Sequence, residues 1–345
     1  MLLTSETFVL RGPQEDGGLD IAVTRYCPGG SAPAGDRVSL LFLHGVSYHK
    51  ETWIPTIEHL FDMQANTPQS GFAVIEAWAI DSPSHGQSAI LNDARLLSHS
   101  QGITAHEVAR AVQMFLKSGL IAGNLLVGVA HSASVSVISL STLGYDTGNL
   151  PYSSLILVEP PIMTRKVFAR ATKKGKAWEL LVEMAKTRKD IWPSREAARD
   201  WMSKRLPWNS WTPRCLDLFV EYALRDLPTA TYPDQTDGVT LCCTRDHEAA
   251  GYIYHQDGFD SLDRLGDICP MIPVHCIFGE KEDVVPNFVK AGFVDARQGR
   301  KMASITTVPN AGHLVVEEHP DGLAEAIWAT MQGSWRSNTG IMYKL

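Results

Sequence analysis

The chain of 345 residues has no apolar run approaching the roughly 20 residues that cross a bilayer, so no membrane span is expected. It opens Met1-Leu2-Leu3-Thr4-Ser5-Glu6, without the basic start, long apolar stretch and small-residue cleavage site of a secretory signal. Its six cysteines, Cys27, Cys215, Cys242, Cys243, Cys269 and Cys276, form no CxxC pair and no zinc spacing. They are expected to be reduced packing residues, in an intracellular compartment. Positive charge is not in excess: 31 Lys and Arg against 38 Asp and Glu leave a net charge of −7, which argues against a general nucleic-acid binder. No histidine pair has metal-ligand spacing with a supporting carboxylate, so neither a metal nor a cofactor is expected. Internal repeats and low-complexity segments are missing too.

What is there belongs to a globular chain, 44% apolar and 20% charged. The length is large for one core and predicts a domain with an insertion, or two domains. The chain is organised around Leu125-Leu126-Val127-Gly128-Val129-Ala130-His131-Ser132-Ala133-Ser134, followed by apolar sequence to Leu140. A buried strand that turns sharply into a helix admits only small residues two positions before and after the turn, here Ala130 and Ser134. Such a turn presents the Ser132 hydroxyl at the carboxyl edge of a parallel sheet, where a nucleophile belongs. A serine N-cap on an ordinary core helix is the plain alternative.

Other buried strands are predicted at Val38–Leu43, Phe72–Ile80, Leu155–Val158, Val274–Phe278 and Ser304–Val308, with helical spacing after Trp53, from Thr104 to Leu116 and from Gly322 to Met331. The alternation predicts an α/β fold with a mostly parallel sheet flanked by helices. It is interrupted from 162 to 267, where helical stretches and no clear buried strand are read. An insertion of that size is expected to form a helical lid over a core made of 1–161 and 268–345. Trp178, Trp192, Trp201, Trp208 and Trp211 make it aromatic, which suits either a bulky apolar acyl pocket or packing within the lid. Its run of Arg165, Lys166, Arg170, Lys173, Lys174 and Lys176 is suited to the phosphates of coenzyme A, or is a solvated face.

A serine hydroxyl needs an imidazole to take its proton and a carboxylate to orient that imidazole. Val308-Pro309-Asn310-Ala311-Gly312-His313 supplies the histidine just after the last core strand. The oxyanion needs backbone N–H donors, and Val46, after His44-Gly45, and Ala133 lie in suitable loops.

In His44-Gly45, Asp81 to Ser88, the serine turn and Ala311-Gly312-His313, taken in this order, the chain resembles the α/β-hydrolase superfamily over nearly its whole length. Tyr48-His49-Lys50-Glu51-Thr52-Trp53, Glu76 to Asp81 and Ser84 to Asn92 resemble fungal secondary-metabolism hydrolases, including toxin-biosynthesis and peroxisomal acyl-CoA hydrolases. The resemblance implies hydrolysis of an ester, lactone or acyl-CoA thioester of a bulky apolar acyl group by Ser132, His313 and an acid. The superfamily's usual acid position falls at Glu282 or its neighbour Asp283; the narrower group implies Glu159, at the end of the earlier strand. The narrower resemblance also implies a homodimer. Against hydrolysis stand a lyase or cyclase on the same fold, and an inactive binding protein. The final Tyr343-Lys344-Leu345 fits a peroxisomal address except for its bulky first residue, with the cytosol as the alternative.

Overall fold

The computed structural model describes residues 3–30, 34–67, 70–174 and 177–339, without the side chains of residue 16 or of residues 171–178 and 336–339. Lys176 and the terminal Tyr343, Lys344 and Leu345 lie outside the described residues, as do the side chains of Lys173, Lys174 and Trp178.

The strands run β1 (Leu3–Leu10), β2 (Ile21–Pro28), β3 (Asp36–Leu43), β4 (Phe72–Ile80), β5 (Leu125–His131), β6 (Ser154–Val158), β7 (Ile191–Trp192), β8 (Leu224–Asp226), β9 (Val239–Leu241), β10 (Val274–Gly279) and β11 (Ser304–Val308). Eight of them form one sheet in the order β1-β2-β4-β3-β5-β6-β10-β11. Pairing is antiparallel at β1/β2 and β2/β4 and parallel from β4 to β11. This is the α/β-hydrolase arrangement, and it aligns the carboxyl ends of β3, β5, β6, β10 and β11 along one edge.

Side-chain alternation along β5 explains its place at the centre. Leu126 and Ala130 join a core on one face with Val112, Phe115, Ile138 and Leu265, while Val127 and Val129 join the opposite core with Ile57, Phe61, Leu323 and Ile327. The helix Ala105–Leu116 starts at a full capping box, with Thr104 and Glu107 satisfying each other's backbone, and puts Ala109, Val112 and Phe115 inward. On the other face Ile54–Ala65 lies beside the long closing helix Pro320–Thr339.

The stretch between β6 and β10 holds helices Arg165–Lys174, Ala177–Thr187, Arg195–Met202, Pro213–Tyr222 and Arg245–Ala250. It also holds a three-stranded sheet, β7-β9-β8, where no strand was expected. Strands of two and three residues are too short for alternation to register, which is why the sequence conceals them. The helix His255–Ile268 packs on Ser134–Leu140, with Leu262, Leu265 and Ile268 in the main core. The described tryptophans of this stretch serve packing: Trp192, Trp208 and Trp211 are buried together with Tyr48, Leu216 and Phe219, and Trp201 lies against them. Among the described residues no helix is long and apolar enough to cross a membrane.

Candidate active site

Ser132 follows β5 directly and takes φ +57°, while its N–H donates to the Val158 carbonyl at 3.0 Å. The helix Ser134–Leu140 begins two residues later. A left-handed serine costs of the order of 1–3 kcal/mol and persists only where its surroundings hold it. Among the described residues only four non-glycine residues have positive φ: Ser47, Ser132, Glu159 and Asn310. All four sit in loops at the carboxyl edge of the sheet, so local strain is concentrated there.

The loop after β11 brings His313 to the serine, with Nε2 3.0 Å from Ser132 Oγ. On the far side of the ring, Nδ1 is 3.2 Å from Oε2 of Glu159, the residue just after β6. With Nδ1–H donating to the carboxylate, Nε2 is left as an acceptor for the serine hydroxyl. Glu159 is fully buried and accepts from the Gly279 N–H and from Lys290 Nζ, both at 2.7 Å, through its other oxygen. The structure therefore brings Ser132, His313 and Glu159 into one line.

The two alternative acids are placed elsewhere. Glu282 is exposed and accepts from Asn287 N and Nδ2 at 2.8 and 2.6 Å, at the start of the helix Asn287–Phe293. Asp283 reaches the main chain of His313, its two oxygens each 3.0 Å from the amide nitrogen. Gly312 makes this approach feasible, because a Cβ there would fall 1.9 Å from Asp283 Oδ2. His131 holds the same residue from the other side, its Nε2 donating to the His313 carbonyl at 2.8 Å. Burial pushes the His131 pKa down to about 3, so the ring is a neutral donor.

These anchors were not anticipated. The signal for Lys290 is weak but present: it falls between Val289 and Phe293 on the buried face of its helix, where a lysine needs a partner. The roles of His131 and Asp283 toward a backbone leave no trace in residue type or spacing.

Val46 and Ala133 both line the cavity that contains Ser132. Gly45 permits the closeness of the first loop, since a Cβ there would come 3.2 Å from Ser132 Cβ. Ser134 Oγ donates to the His44 carbonyl and ties that loop to the helix. His44 itself accepts from Ser82 N–H at 3.1 Å and bonds the Gly45 carbonyl, a structural role. Lys50, from the Tyr48–Trp53 phrase, is buried between Glu51 at 2.6 Å and Asp81 at 3.1 Å, and fastens the loop after β3 to the end of β4.

The cavity measures about 570 Å³ and is lined by Val108, Val137, Phe168, Phe259, Val285 and Phe288 among others, with Ser132 and His313 in its wall. The helix Arg165–Lys174 contributes Phe168 to this wall and keeps Arg165, Lys166 and Arg170 exposed. Arg165 pairs with Asp263 at 3.0 Å and lies over the Phe259 ring. Among the described residues no group of three or more His, Cys, Asp or Glu is placed to hold a metal ion.

A profile described as "Alpha/beta hydrolase family" matches residues 40–326. The type I acyl-CoA thioesterase mpaH of Penicillium roqueforti is 30% identical over 220 residues, covering 63% of this chain and 47% of that protein. The type I acyl-CoA thioesterase mpaH' of Penicillium brevicompactum is 30% identical over 251 residues, covering 68% and 54%. The matched region thus spans about half the length of these relatives. Among solved structures, the peroxisomal alpha-beta-hydrolase Lpx1 of Saccharomyces cerevisiae superposes with a TM-score of 0.77 at 18% identity, covering 96% of this chain and 89% of that one. The thioesterase domain from the curacin biosynthetic pathway gives 0.65 at 15% identity, covering 94% and 99%.

Proposed function

The chain belongs to the alpha/beta hydrolase family, and from that footing we propose that it is a serine hydrolase of ester or thioester bonds whose substrate carries a bulky apolar acyl group. The observation that carries this reading is the line from Ser132 Oγ through His313 to the buried Glu159, set in the wall of a mostly apolar cavity. In the reaction, His313 Nε2 takes the Ser132 proton as Oγ attacks the carbonyl carbon, and Glu159 stabilises the imidazolium. The Val46 and Ala133 amides hold the oxyanion. The imidazolium then returns its proton to the departing thiol or alcohol, and a water deprotonated by the same ring releases the acid.

Acyl-CoA is the proposed form of the substrate. Two relatives named acyl-CoA thioesterases support it, as do the exposed Lys166 and Arg170 on the helix whose Phe168 faces the cavity. The stretch from 162 to the helix Arg245–Ala250 is assigned the part of a cap over the acyl pocket, since Phe168, Leu181 and His247 reach the cavity from its side.

The test is turnover of a panel of acyl-CoAs, aryl esters and lactones by the purified protein. Ser132→Ala and His313→Ala should each lower kcat by several orders of magnitude, and the double variant little further, because the pair acts as a unit. Near-normal turnover of either single variant would refute the assignment.

A further inference from the structure

Ser47, which follows Val46 in the proposed oxyanion loop, is the fourth strained residue at the sheet edge, with φ +77°. Its contacts include a side-chain hydrogen bond with Tyr252, and two further bonds hold it there. Its N–H donates to His85 Nε2 at 3.1 Å, and its hydroxyl donates to Glu248 Oε1 at 2.6 Å. Glu248 lies in the helix Arg245–Ala250, outside the sheet domain, and is almost fully buried. Arg188, just beyond the helix Ala177–Thr187, donates from Nη1 to Oε1 at 2.9 Å, and its Nη2 lies 2.8 Å from Oε2 as an ion-pair contact without hydrogen-bond geometry. The same segment runs close to Val46, near enough that a Cβ on Gly251 would come within 2.8 Å of a Val46 methyl.

We propose that Glu248 and Arg188 are positioning residues for the oxyanion loop, acting through Ser47, so that the Val46 amide is correctly aimed only when the cap is seated. This inference rests on the proposed function above. Its physical basis is geometric and electrostatic. The loop bears a backbone conformation that it would not keep alone, and Glu248 supplies the acceptor that keeps it. An unpaired carboxylate next to the hole would oppose a developing oxyanion; the arginine offsets that charge, and its one hydrogen bond to Oε1 ties down the oxygen that Ser47 uses. A buried pair that only docked the cap would need no bond to the strained residue.

The test compares Ser47→Ala, Arg188→Met, their double variant and Glu248→Gln on p-nitrophenyl butyrate, alongside inhibition by an aliphatic trifluoromethyl ketone. That ketone forms a tetrahedral oxyanion on a nucleophilic serine; its methyl ketone analogue serves as the ground-state comparison. Ser47→Ala and Arg188→Met should each lower kcat about tenfold or more with KM nearly unchanged, since a displaced donor acts only on the transition state. Affinity for the trifluoromethyl ketone should fall by the same factor, while that for the methyl ketone holds. The double variant should cost little more than the worse single one. Glu248→Gln, which keeps an acceptor for Ser47 and loses the charge, should fall between, and decides the matter if Arg188→Met does not fold. Arg199→Met removes an exposed pair with Asp217 in the same stretch and should change nothing. Equal loss of affinity for both ketones, additive effects, or variants within about twofold of wild type would overturn the proposal. Trifluoromethyl ketone inhibition that survives Ser132→Ala would instead strike at the proposed function itself.

Discussion

Asp283 holds His313 by its main chain, and Glu159 holds it by its ring. Both Asp283 oxygens lie 3.0 Å from the His313 amide nitrogen, whereas Nδ1 of the ring points to Glu159 Oε2 at 3.2 Å. Two carboxylates from the loops after different strands thus act on one histidine, and they should respond differently to amide substitution. Glu159→Gln is expected to keep the fold and lose about 10⁴ in kcat, since the wrong tautomer leaves Nε2 unable to accept. Asp283→Asn keeps an acceptor for the amide and should cost about tenfold or less. Glu282→Gln should leave kcat unchanged. Steady-state kinetics on one aryl ester checks all three, and a severe Asp283→Asn defect beside a mild Glu159→Gln one would move the acid to Asp283.

Lys290 is the cation under this arrangement. It is buried, and donates to Glu159 at 2.7 Å and to the Gly279 carbonyl at 3.0 Å. Removing one member of a buried ion pair leaves an uncompensated charge, so Lys290→Met should destabilise the protein by about 3–5 kcal/mol. Urea unfolding measures this. A midpoint equal to that of the wild type would show that Gly279 N–H alone satisfies Glu159.

Glu317 is wholly buried beside the histidine loop, with Thr52 Oγ1 donating to it at 2.8 Å and its Oε2 without a partner. Burial raises its pKa to about 8, so the folded protein keeps this carboxyl protonated where the unfolded chain ionises it. Between the ordinary glutamate value and about 8 the native state therefore binds more protons, and this group's contribution makes stability fall as pH rises through that window. Glu317→Gln removes the titration. Thermal midpoints taken from pH 5 to 9 should decline less steeply in the variant, which gains on the wild type as pH rises; parallel curves would mean that Glu317 titrates alike in both states.

Acyl-CoA recognition has its own signature. Lys166→Glu with Arg170→Glu should raise KM for an acyl-CoA and leave KM for a small uncharged ester nearly as it was, because only the former carries phosphates. Added salt should weaken acyl-CoA binding in the wild type more than in the variant. Equal KM changes on both substrates would assign the helix a purely supporting role.

Much of this was open to reading in the sequence, for identifiable reasons. Strands buried on both faces, such as Leu125–His131 and Val274–Gly279, write themselves as unbroken apolar runs, and the order of strand and helix then limits the topology. The small residues around Ser132 and the glycine before His313 are steric necessities, so they survive as a pattern. Choosing between Glu159 and Asp283 was beyond the residues themselves, because both end or follow adjacent core strands, and only the fold shows which one meets the ring. The strained backbone of Ser47 and Glu159 left no mark either, since both are ordinary residues held by distant partners. The tryptophans point the same way: five in one stretch signal a large aromatic cluster, and only packing reveals that those described pack with one another and not into the cavity.

The central claim is that Ser132 is an activated nucleophile, and labelling with a fluorophosphonate tests it most directly. The wild-type protein should take one phosphonyl group, mapped by peptide mass spectrometry to Ser132. Labelling should vanish in Ser132→Ala and slow sharply in His313→Ala. A wild-type protein that remains unlabelled, or one labelled at another residue with Ser132→Ala equally reactive, would contradict the account.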